Sequence, residues 1–220
     1  MTTHARTALL PLALLLALNA CSSTPATTAG EGLPSSIPHA ADGSALTSPA
    51  NAFFQNVAAL CGHAYAGRIV ADTPAPTTAD PFAGKPLVMH VRECDKDVIR
   101  IPFFVGDDRS RTWLLRRTAD GLRLKHDHRH QDGSEDAVTM YGGDSAAPGS
   151  ARRQEFPVDA ESKAMFDREG RSVSNSNVWA MEVEPGRRFV YELSRPGRLF
   201  RVEFDLTRPL PAPPPPWGSR

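Results

Sequence analysis

The sequence lacks a surplus of charge of either sign. Of its 220 residues, 25 are lysine or arginine and 25 are aspartate or glutamate. Proteins that bind nucleic acid through its phosphates need a basic surface. The composition therefore excludes the strongly basic class of nucleic-acid-binding protein, and we expect no nucleic-acid partner.

The sequence also lacks the strong catalytic motifs. It contains no glycine-rich nucleotide-binding pattern, no CxxC, no HExxH and no GxSxG. These motifs are tied to phosphate binding, thiol chemistry, zinc-dependent hydrolysis and acyl transfer. Their absence favours a non-enzymatic role and leaves the question of an enzyme open.

Residues 1–21 have the pattern of a targeting segment. His4 and Arg6 make a weakly basic start, and an apolar run over 8–18 follows that is too short to span a bilayer. The run ends in Leu18-Asn19-Ala20-Cys21. This ending resembles the lipobox of bacterial lipoproteins, which makes the segment a lipoprotein signal peptide. Cleavage as an ordinary secretory signal is the alternative, although a leucine three residues before the cut suits it poorly.

The resemblance implies a lipid anchor on Cys21. In bacterial lipoproteins the lipobox cysteine carries the acyl chains and becomes the first mature residue. The next residues, Ser22 and Ser23, do not include the aspartate that the family associates with retention in the inner membrane. The expected location is the bacterial cell envelope, at the outer membrane and facing the periplasm, with the membrane bound through the acyl chains.

The rest of the chain divides by composition into three parts. Residues 22–48 are rich in Ser, Thr, Ala, Pro and Gly, which predicts a disordered tether. Residues 49–208 are expected to form one folded domain. Residues 209–220 contain four consecutive prolines before Trp217 and predict an extended tail. Three interpretations of the tail stay open: it contacts a partner, ends in solvent, or lies along the domain with its tryptophan in a groove.

The two cysteines of the folded domain, Cys61 and Cys94, predict a disulfide. They form an even pair once Cys21 is lipidated, and the periplasm oxidises thiols. The alternative is two buried thiols that do not meet, because sequence alone does not give their separation.

The hydrophobic pattern predicts an all-β domain. A short amphipathic helix is expected over 50–60, because Ser48-Pro49 supplies an N-cap and a first-turn proline. After Gly62 the period becomes two, with a further helical turn or two at 160–168. The predicted strands are 63–71, 86–93, 98–105, 112–118, 122–130, 135–141, 152–156, 178–184, 187–194 and 198–206. We expect a single antiparallel up-and-down barrel or strongly coiled sheet of about 8 to 10 strands, with a two-sheet sandwich as the alternative.

Two turns near the C-terminus predict the register of the last strands. Pro196-Gly197 fits a tight turn, and a three-residue loop is expected after Glu184. Both turns place apolar residues of neighbouring strands on one face. The predicted pairs at the first turn are Leu193 with Phe200, Tyr191 with Val202, Phe189 with Phe204 and, on the other face, Glu192 with Arg201.

The segment that follows the predicted helix, Gly62-His63-Ala64-Tyr65-Ala66-Gly67, is similar to the opening strand of lipocalin-type barrels. In that family Gly-x-Trp follows a short helix. Here Tyr65 stands one place later and the tryptophan is absent. The likeness implies a barrel and carries no ligand over to this chain.

Residues 122–141 concentrate the chemistry of the sequence. Two leucines and three histidines alternate with charged residues, so the histidines are expected to continue the inner face of a strand. Asp132-Gly133 predicts a two-residue type I′ hairpin. The register that follows pairs His130 with Glu135, His128 with Ala137, His126 with Thr139, Leu124 with Tyr141 and, on the outer face, Arg129 with Asp136.

Three interpretations of this segment stay open. The histidines form a buried, hydrogen-bonded polar layer, they line a small-molecule pocket, or they bind a metal such as zinc or another transition ion. Residues two apart on a strand lie about 6.6 Å apart, so two neighbouring imidazoles can share one ion and three need a bend. The candidate ligand or metal-binding residues are His126, His128, His130, Glu135, Thr139 and Tyr141. Arg100, Arg109, Arg111 and Trp113, on the neighbouring strands and the turn between them, are unassigned candidates.

The function these patterns favour is a lipid-anchored envelope protein that binds a small ligand or a protein partner in the periplasm. The first alternative is a metal-binding protein or metal-dependent hydrolase that uses the histidine strand. The second is a structural envelope component that uses its proline-rich tail as a contact.

Overall fold

A computed structural model of the protein describes residues 48–76 and 80–219. The predicted signal peptide, the lipidation of Cys21 and nearly all of the predicted tether lie outside these residues. The described part contains eleven strands, two α-helices and a 3₁₀ helix. The strands are β1 (Ala64–Thr73), β2 (Leu87–His90), β3 (Glu93–Cys94), β4 (Val98–Val105), β5 (Asp108–Arg117), β6 (Leu122–His128), β7 (Tyr141–Asp144), β8 (Arg153–Pro157), β9 (Val178–Glu184), β10 (Arg188–Arg195) and β11 (Arg198–Leu210).

The helices are α1 (Pro49–Ala58), α2 (Ala160–Arg168) and the 3₁₀ helix (Ser172–Ser176). Both α-helices begin with the capping chemistry that their sequences offer. The hydroxyl of Ser48 accepts a hydrogen bond from the amide of Asn51 at 3.1 Å, and the carboxylate of Asp159 accepts from the amide of Ser162 at 2.8 Å. No helix in residues 48–76 and 80–219 is long and apolar enough to cross a membrane.

The strands form one antiparallel sheet that nearly closes into a barrel. Their order is β7-β6-β5-β4-β2-β1-β11-β10-β9-β8, and the short β3 pairs with β4. Nearly all neighbours in the sheet are neighbours in sequence, which is the up-and-down arrangement. The predicted barrel class is therefore confirmed, although the predicted strand over 86–93 is divided into β2 and β3.

The two ends of the sheet, β7 and β8, meet at a seam built around glycine. The amide of Asp159, just after β8, donates to the carbonyl oxygen of Gly142 at 2.9 Å. A Cβ atom on Gly143 would lie 1.8 Å from the carbonyl oxygen of Pro157, and one on Gly142 would lie 1.9 Å from that of Leu124. The close approach of β7 and β8 covers sheet edges that would otherwise offer unpaired backbone groups.

Helix α1 closes one end of the barrel. Its buried residues include Phe53, Phe54 and Val57, which belong to the same apolar cluster as the inner faces of the strands. Arg117, at the end of β5, donates to the side-chain oxygen of Asn51 and lies over the Phe54 ring at 4.0 Å. The predicted helix over 50–60 is confirmed. It covers the end of the core at which Arg117 lies.

The predicted disulfide is present. Cys61, just after α1, and Cys94, in β3, are joined with a Cα separation of 6.2 Å. The link ties the end of the helix to the sheet across a sequence separation of 33 residues. Cross-links over loops of this size stabilise a fold mainly by restricting the unfolded chain.

The strand pairing near the C-terminus agrees with the sequence. Across the Pro196-Gly197 turn, Leu193 pairs with Phe200 and Glu192 with Arg201, as predicted. Between β9 and β10, Glu184 pairs with Arg188, which leaves the expected three-residue loop. The inner faces of these strands contribute Trp179, Phe189 and Phe204 to the core.

The predicted hairpin over 122–141 is wrong in register. The loop contains three residues instead of two, because His130 pairs through backbone hydrogen bonds with Ser134 and Gly133. Arg129 then faces Glu135, and the ladder breaks until His126 pairs with Tyr141. The predicted pairs His130 with Glu135, His128 with Ala137, His126 with Thr139, Leu124 with Tyr141 and Arg129 with Asp136 are therefore all replaced.

The C-terminal tail lies along the outside of the barrel. Pro209 and Leu210, predicted to begin the tail, belong to β11. Farther on, the amide of Trp217 donates to the carbonyl oxygen of Arg109 at 3.0 Å. The Arg109 guanidinium donates in turn to the carbonyl oxygen of Pro215 at 3.1 Å. Of the three interpretations of the tail, the structure shows the one in which it packs along the domain.

Candidate functional site

The barrel is open at the end opposite α1, where its inner wall surrounds a cavity of about 590 Å³. The walls come from β4, β5, β6, β7, β9, β10 and β11, with contributions from α2, the 3₁₀ helix and the segment around Phe82. A cavity of this volume is in the range of small-molecule sites, which lie between about 300 and 1,000 Å³. The mouth of the barrel is therefore the candidate site.

Aromatic rings form the apolar wall of the cavity. Trp113 is stacked on Tyr191 with ring centroids 4.4 Å apart and on Phe103 at 5.0 Å. Phe82 packs against Phe200 at 5.0 Å. Stacked rings of this kind are rigid and offer a flat apolar surface to a ligand.

His126 lies in the wall beneath this surface, and both of its ring nitrogens are hydrogen-bonded. Its Nδ1 is 3.1 Å from the carbonyl oxygen of Tyr141, and its Nε2 is 2.8 Å from the hydroxyl of Tyr191. Since a carbonyl oxygen only accepts, Nδ1 carries the proton and Nε2 accepts from the tyrosine. Burial lowers the pKa of His126 to about 3. The ring is therefore neutral at any physiological pH.

His128 and Tyr141 form a second neutral pair. The Tyr141 hydroxyl lies 3.1 Å from Nε2 of His128. Burial, followed by the nearby charge of Arg111, lowers the pKa of His128 to about 4. Burial raises the pKa of Tyr141 to about 12, so the polar part of the wall offers hydrogen bonds and carries no charge at pH 7.

The positive charge in the cavity wall comes from arginine side chains. Arg111 on β5 pairs with Asp108 at 2.5 Å, and Arg198 on β11 pairs with Asp72. Arg195 on β10 donates to the side-chain oxygen of Asn177 at 3.2 Å. Arg171, just before the 3₁₀ helix, also lines the cavity. We call these four residues the arginine rim.

The sequence candidates divide between the cavity and the outside. His126, His128 and Tyr141 line the cavity. His130 is exposed at the loop beyond β6, and Glu135 pairs with Arg129 at 2.9 Å. The hydroxyl of Thr139 accepts from the backbone amide of His128 at 2.7 Å.

The donor atoms do not converge in the way a metal site needs. The described residues contain no group of three His, Cys, Asp or Glu side chains that could hold a metal ion. His126 would also have to give up a hydrogen bond on a ring nitrogen to become a ligand. What the histidine strand brings together is a pocket wall and a hydrogen-bonded polar layer.

Several cavity residues were not recognised as site residues from the sequence. Trp179 and Tyr191 were expected only as inner-face residues of a hairpin, and Arg171 and Arg195 had no assigned role. Trp113 and Arg111 were unassigned candidates. Alternation indicates which residues point inwards, but the depth at which the core gives way to a cavity depends on how the barrel closes.

Comparison with protein-family models, with curated proteins and with solved structures finds no match.

Proposed function

We propose that this chain is a lipid-anchored protein of the bacterial cell envelope whose barrel binds a small molecule with an apolar body. The observation that carries the binding function is the cavity at the barrel mouth, with Trp113 stacked on Tyr191 in its wall. Rigid aromatic walls with a few hydrogen-bonding groups are typical of small-molecule sites. The groups that orient the ligand would be His128 and Tyr141.

The anchor and the location are supported by the sequence. Leu18-Asn19-Ala20-Cys21 has the lipobox pattern. The disulfide between Cys61 and Cys94 suits an oxidising compartment such as the periplasm. A tethered barrel of this kind would hold its ligand near the outer membrane.

The anchor is tested by replacing the lipobox cysteine. In a bacterial host with an outer membrane, Cys21→Ser is expected to abolish labelling of the chain by radioactive palmitate and to release the protein from the membrane fraction. Ser22→Ala, one residue away, is the matched control and keeps both properties. Palmitate labelling that persists in Cys21→Ser would show that the lipobox is not used.

Ligand binding is tested with N-phenyl-1-naphthylamine, a neutral apolar dye that fluoresces strongly once it leaves water. The full chain carrying Cys21→Ser is used, so that no acyl chain competes for the dye. We expect saturable binding of one dye per chain. Leu193→Trp, which fills the mouth where Leu193 lines the cavity, is expected to weaken binding at least about tenfold, since the added ring occupies the dye's place.

The matched control is Leu210→Trp, the same change at the far end of β11, where Leu210 pairs with Ala64. It should leave the dissociation constant unchanged. A second readout places the dye directly: in Trp217→Phe, energy transfer to the dye comes from Trp113 and Trp179, the two tryptophans in the cavity wall. Equal binding by the two leucine variants, together with no energy transfer, would rule out the cavity as the binding site.

A further inference from the structure

The arginine rim leaves the cavity with uncompensated positive charge. Four arginines line the cavity, and Asp136 is the one carboxylate among the lining residues in the described part of the chain. Asp136 also accepts a hydrogen bond from the backbone amide of Val138 at 2.7 Å. The polar wall formed by His126, His128 and Tyr141 is neutral. The surplus charge therefore belongs to the rim alone.

Two of the four rim arginines are neutralised from outside the cavity. Arg111 has Asp108 as its partner, and Arg198 has Asp72. Neither aspartate lines the cavity. These two arginines are held in place by their own ion pairs.

The other two, Arg171 and Arg195, have no carboxylate partner within residues 48–76 and 80–219. Arg195 is half-buried and reaches only the neutral side-chain oxygen of Asn177. Burial, followed by the nearby charge of Arg198, lowers the pKa of Arg195. The cavity wall therefore contains two arginines, the exposed Arg171 and the half-buried Arg195, whose charge no carboxylate partner among the described residues offsets.

This arrangement departs from the rest of the molecule. The chain as a whole is neutral, and several arginines on the outer face of the barrel have acidic partners. Arg123 pairs with Asp144, Arg129 with Glu135, and Arg153 with Glu182. Arg116 and Arg208 also have no ion pair among the described residues, but both are exposed and lie outside the cavity. The rim differs from them because its four arginines share a concave wall with a single carboxylate.

We propose that Arg171 and Arg195 bind the anionic head of the ligand, so that the cavity takes an amphipathic anion whose apolar body lies against the aromatic wall. This inference rests on the proposed function and adds the charge of the ligand to it. The head is a carboxylate or a phosphate, because the planar guanidinium group matches both through paired hydrogen bonds. A concave site with one sign of charge also concentrates ions of the other sign.

The test compares two dyes that differ by one anionic group. N-phenyl-1-naphthylamine is neutral, and 8-anilino-1-naphthalenesulfonate carries a sulfonate on the same ring system. We expect the anionic dye to bind at least about tenfold more tightly to the full chain carrying Cys21→Ser, and we expect added salt to reduce this preference. In the double variant Arg171→Gln/Arg195→Gln the ratio of the two dissociation constants should fall towards one.

The matched control is Arg68→Gln/Arg187→Gln. These arginines are 72% and 77% exposed in their side chains and lie outside the cavity, so the ratio should stay as in the unmodified site. Displacement of the anionic dye by 1-naphthoate, 1-naphthyl phosphate and neutral 1-naphthol then identifies the head. Stronger displacement by either anion than by the naphthol supports the proposal and assigns carboxylate or phosphate.

The two proposals fail differently. If neither dye binds in the cavity, the proposed function is overturned. If both dyes bind in the cavity with equal affinity, or if the preference survives in Arg171→Gln/Arg195→Gln, the cavity still binds small molecules and the anionic head is overturned. Displacement by 1-naphthol that equals displacement by both anions has the same meaning.

Discussion

Replacing Gly142 by alanine is expected to destabilise the folded protein by about 3 to 5 kcal/mol, which is at the severe end of single substitutions. Gly142 lies at the barrel seam with φ of +155°, a conformation that is essentially restricted to glycine. The new Cβ atom would lie 1.9 Å from the carbonyl oxygen of Leu124. Because this oxygen belongs to the backbone of β6, which pairs with β7, relief requires these two strands to move apart.

The measurement is urea denaturation followed by circular dichroism. Gly186→Ala is the matched control, since Gly186 has φ of +72° and no atom within 4 Å of an added Cβ. The Gly186→Ala variant has the strain of positive φ without the steric collision, and we expect its free energy of unfolding to fall by about 1 to 2 kcal/mol. Equal losses of stability in the two variants would show that β6 and β7 tolerate a wider spacing than the structure gives.

Lowering the pH from 7 to 4.5 is expected to reduce the free energy of unfolding by about 5 kcal/mol through His126 and His128. Their pKa values are about 3 and about 4 in the folded protein, against about 6.5 in an unfolded chain. Below pH 6.5 the unfolded chain therefore gains protons that the folded protein does not. Stability is complete above this pH and falls by about 1.4 kcal/mol per pH unit for each histidine.

The variant His128→Gln isolates one of the two contributions. Glutamine keeps a hydrogen-bonding group beside Tyr141 and does not titrate, so the loss between pH 7 and 4.5 should shrink by about 2 kcal/mol. His130→Gln, at the exposed loop, is the matched control. Between pH 7 and 4.5 it should lose as much stability as the unmodified chain. Burial lowers the pKa of His90 as well, and that contribution is common to all three proteins.

Ending the titration at pH 4.5 separates the histidines from the acidic residues. The pKa of Asp159 is lowered by its hydrogen bonds to Lys125 and Ser162, although burial opposes them. Such carboxylates stabilise the fold above their unfolded pKa of about 4 and lose that contribution below it. A profile that is flat from pH 7 to 4.5 would contradict the buried, neutral state of the two histidines.

The hairpins that were predicted correctly have patterns that agree on both faces of their strands. Around Pro196-Gly197, apolar pairs fall on the inner face and the Glu192–Arg201 pair falls on the outer one. Any other register would have placed charge in the core, because a shift by one residue exchanges the two faces. Turn and alternation therefore specify this register together.

The register predicted for the hairpin after β6 was wrong because its turn adopts a conformation that Asp132-Gly133 alone does not indicate. The Asp132 carboxylate accepts hydrogen bonds from both the amide and the hydroxyl of Ser134, at 2.9 and 2.6 Å. This side-chain turn leaves Gly133 with positive φ and Asp132 without it, which is the geometry of a three-residue loop. A second break follows before β7, where Met140 also has positive φ.

The burial of Lys125 depends on a distant segment. Alternation assigned this residue to the solvated face of β6, yet only 8% of its side chain is exposed. Helix α2 brings Asp159 and Glu161 within 2.8 and 3.1 Å of its ammonium group. A pocket lined by the histidines was one of the interpretations drawn from the sequence, but the rest of its wall was beyond prediction for the same reason, since that wall is assembled from strands far apart in sequence.

The closed end of the barrel also bears on how fast a ligand would exchange. In the part of the chain that the structure describes, α1 covers the end opposite the mouth, so the arginine rim lies on the route by which a molecule enters and leaves. A charged entrance speeds association with an anion and makes the rate depend on ionic strength. The aromatic wall would then set the dissociation rate of the ligand, and the arginine rim would set its association rate.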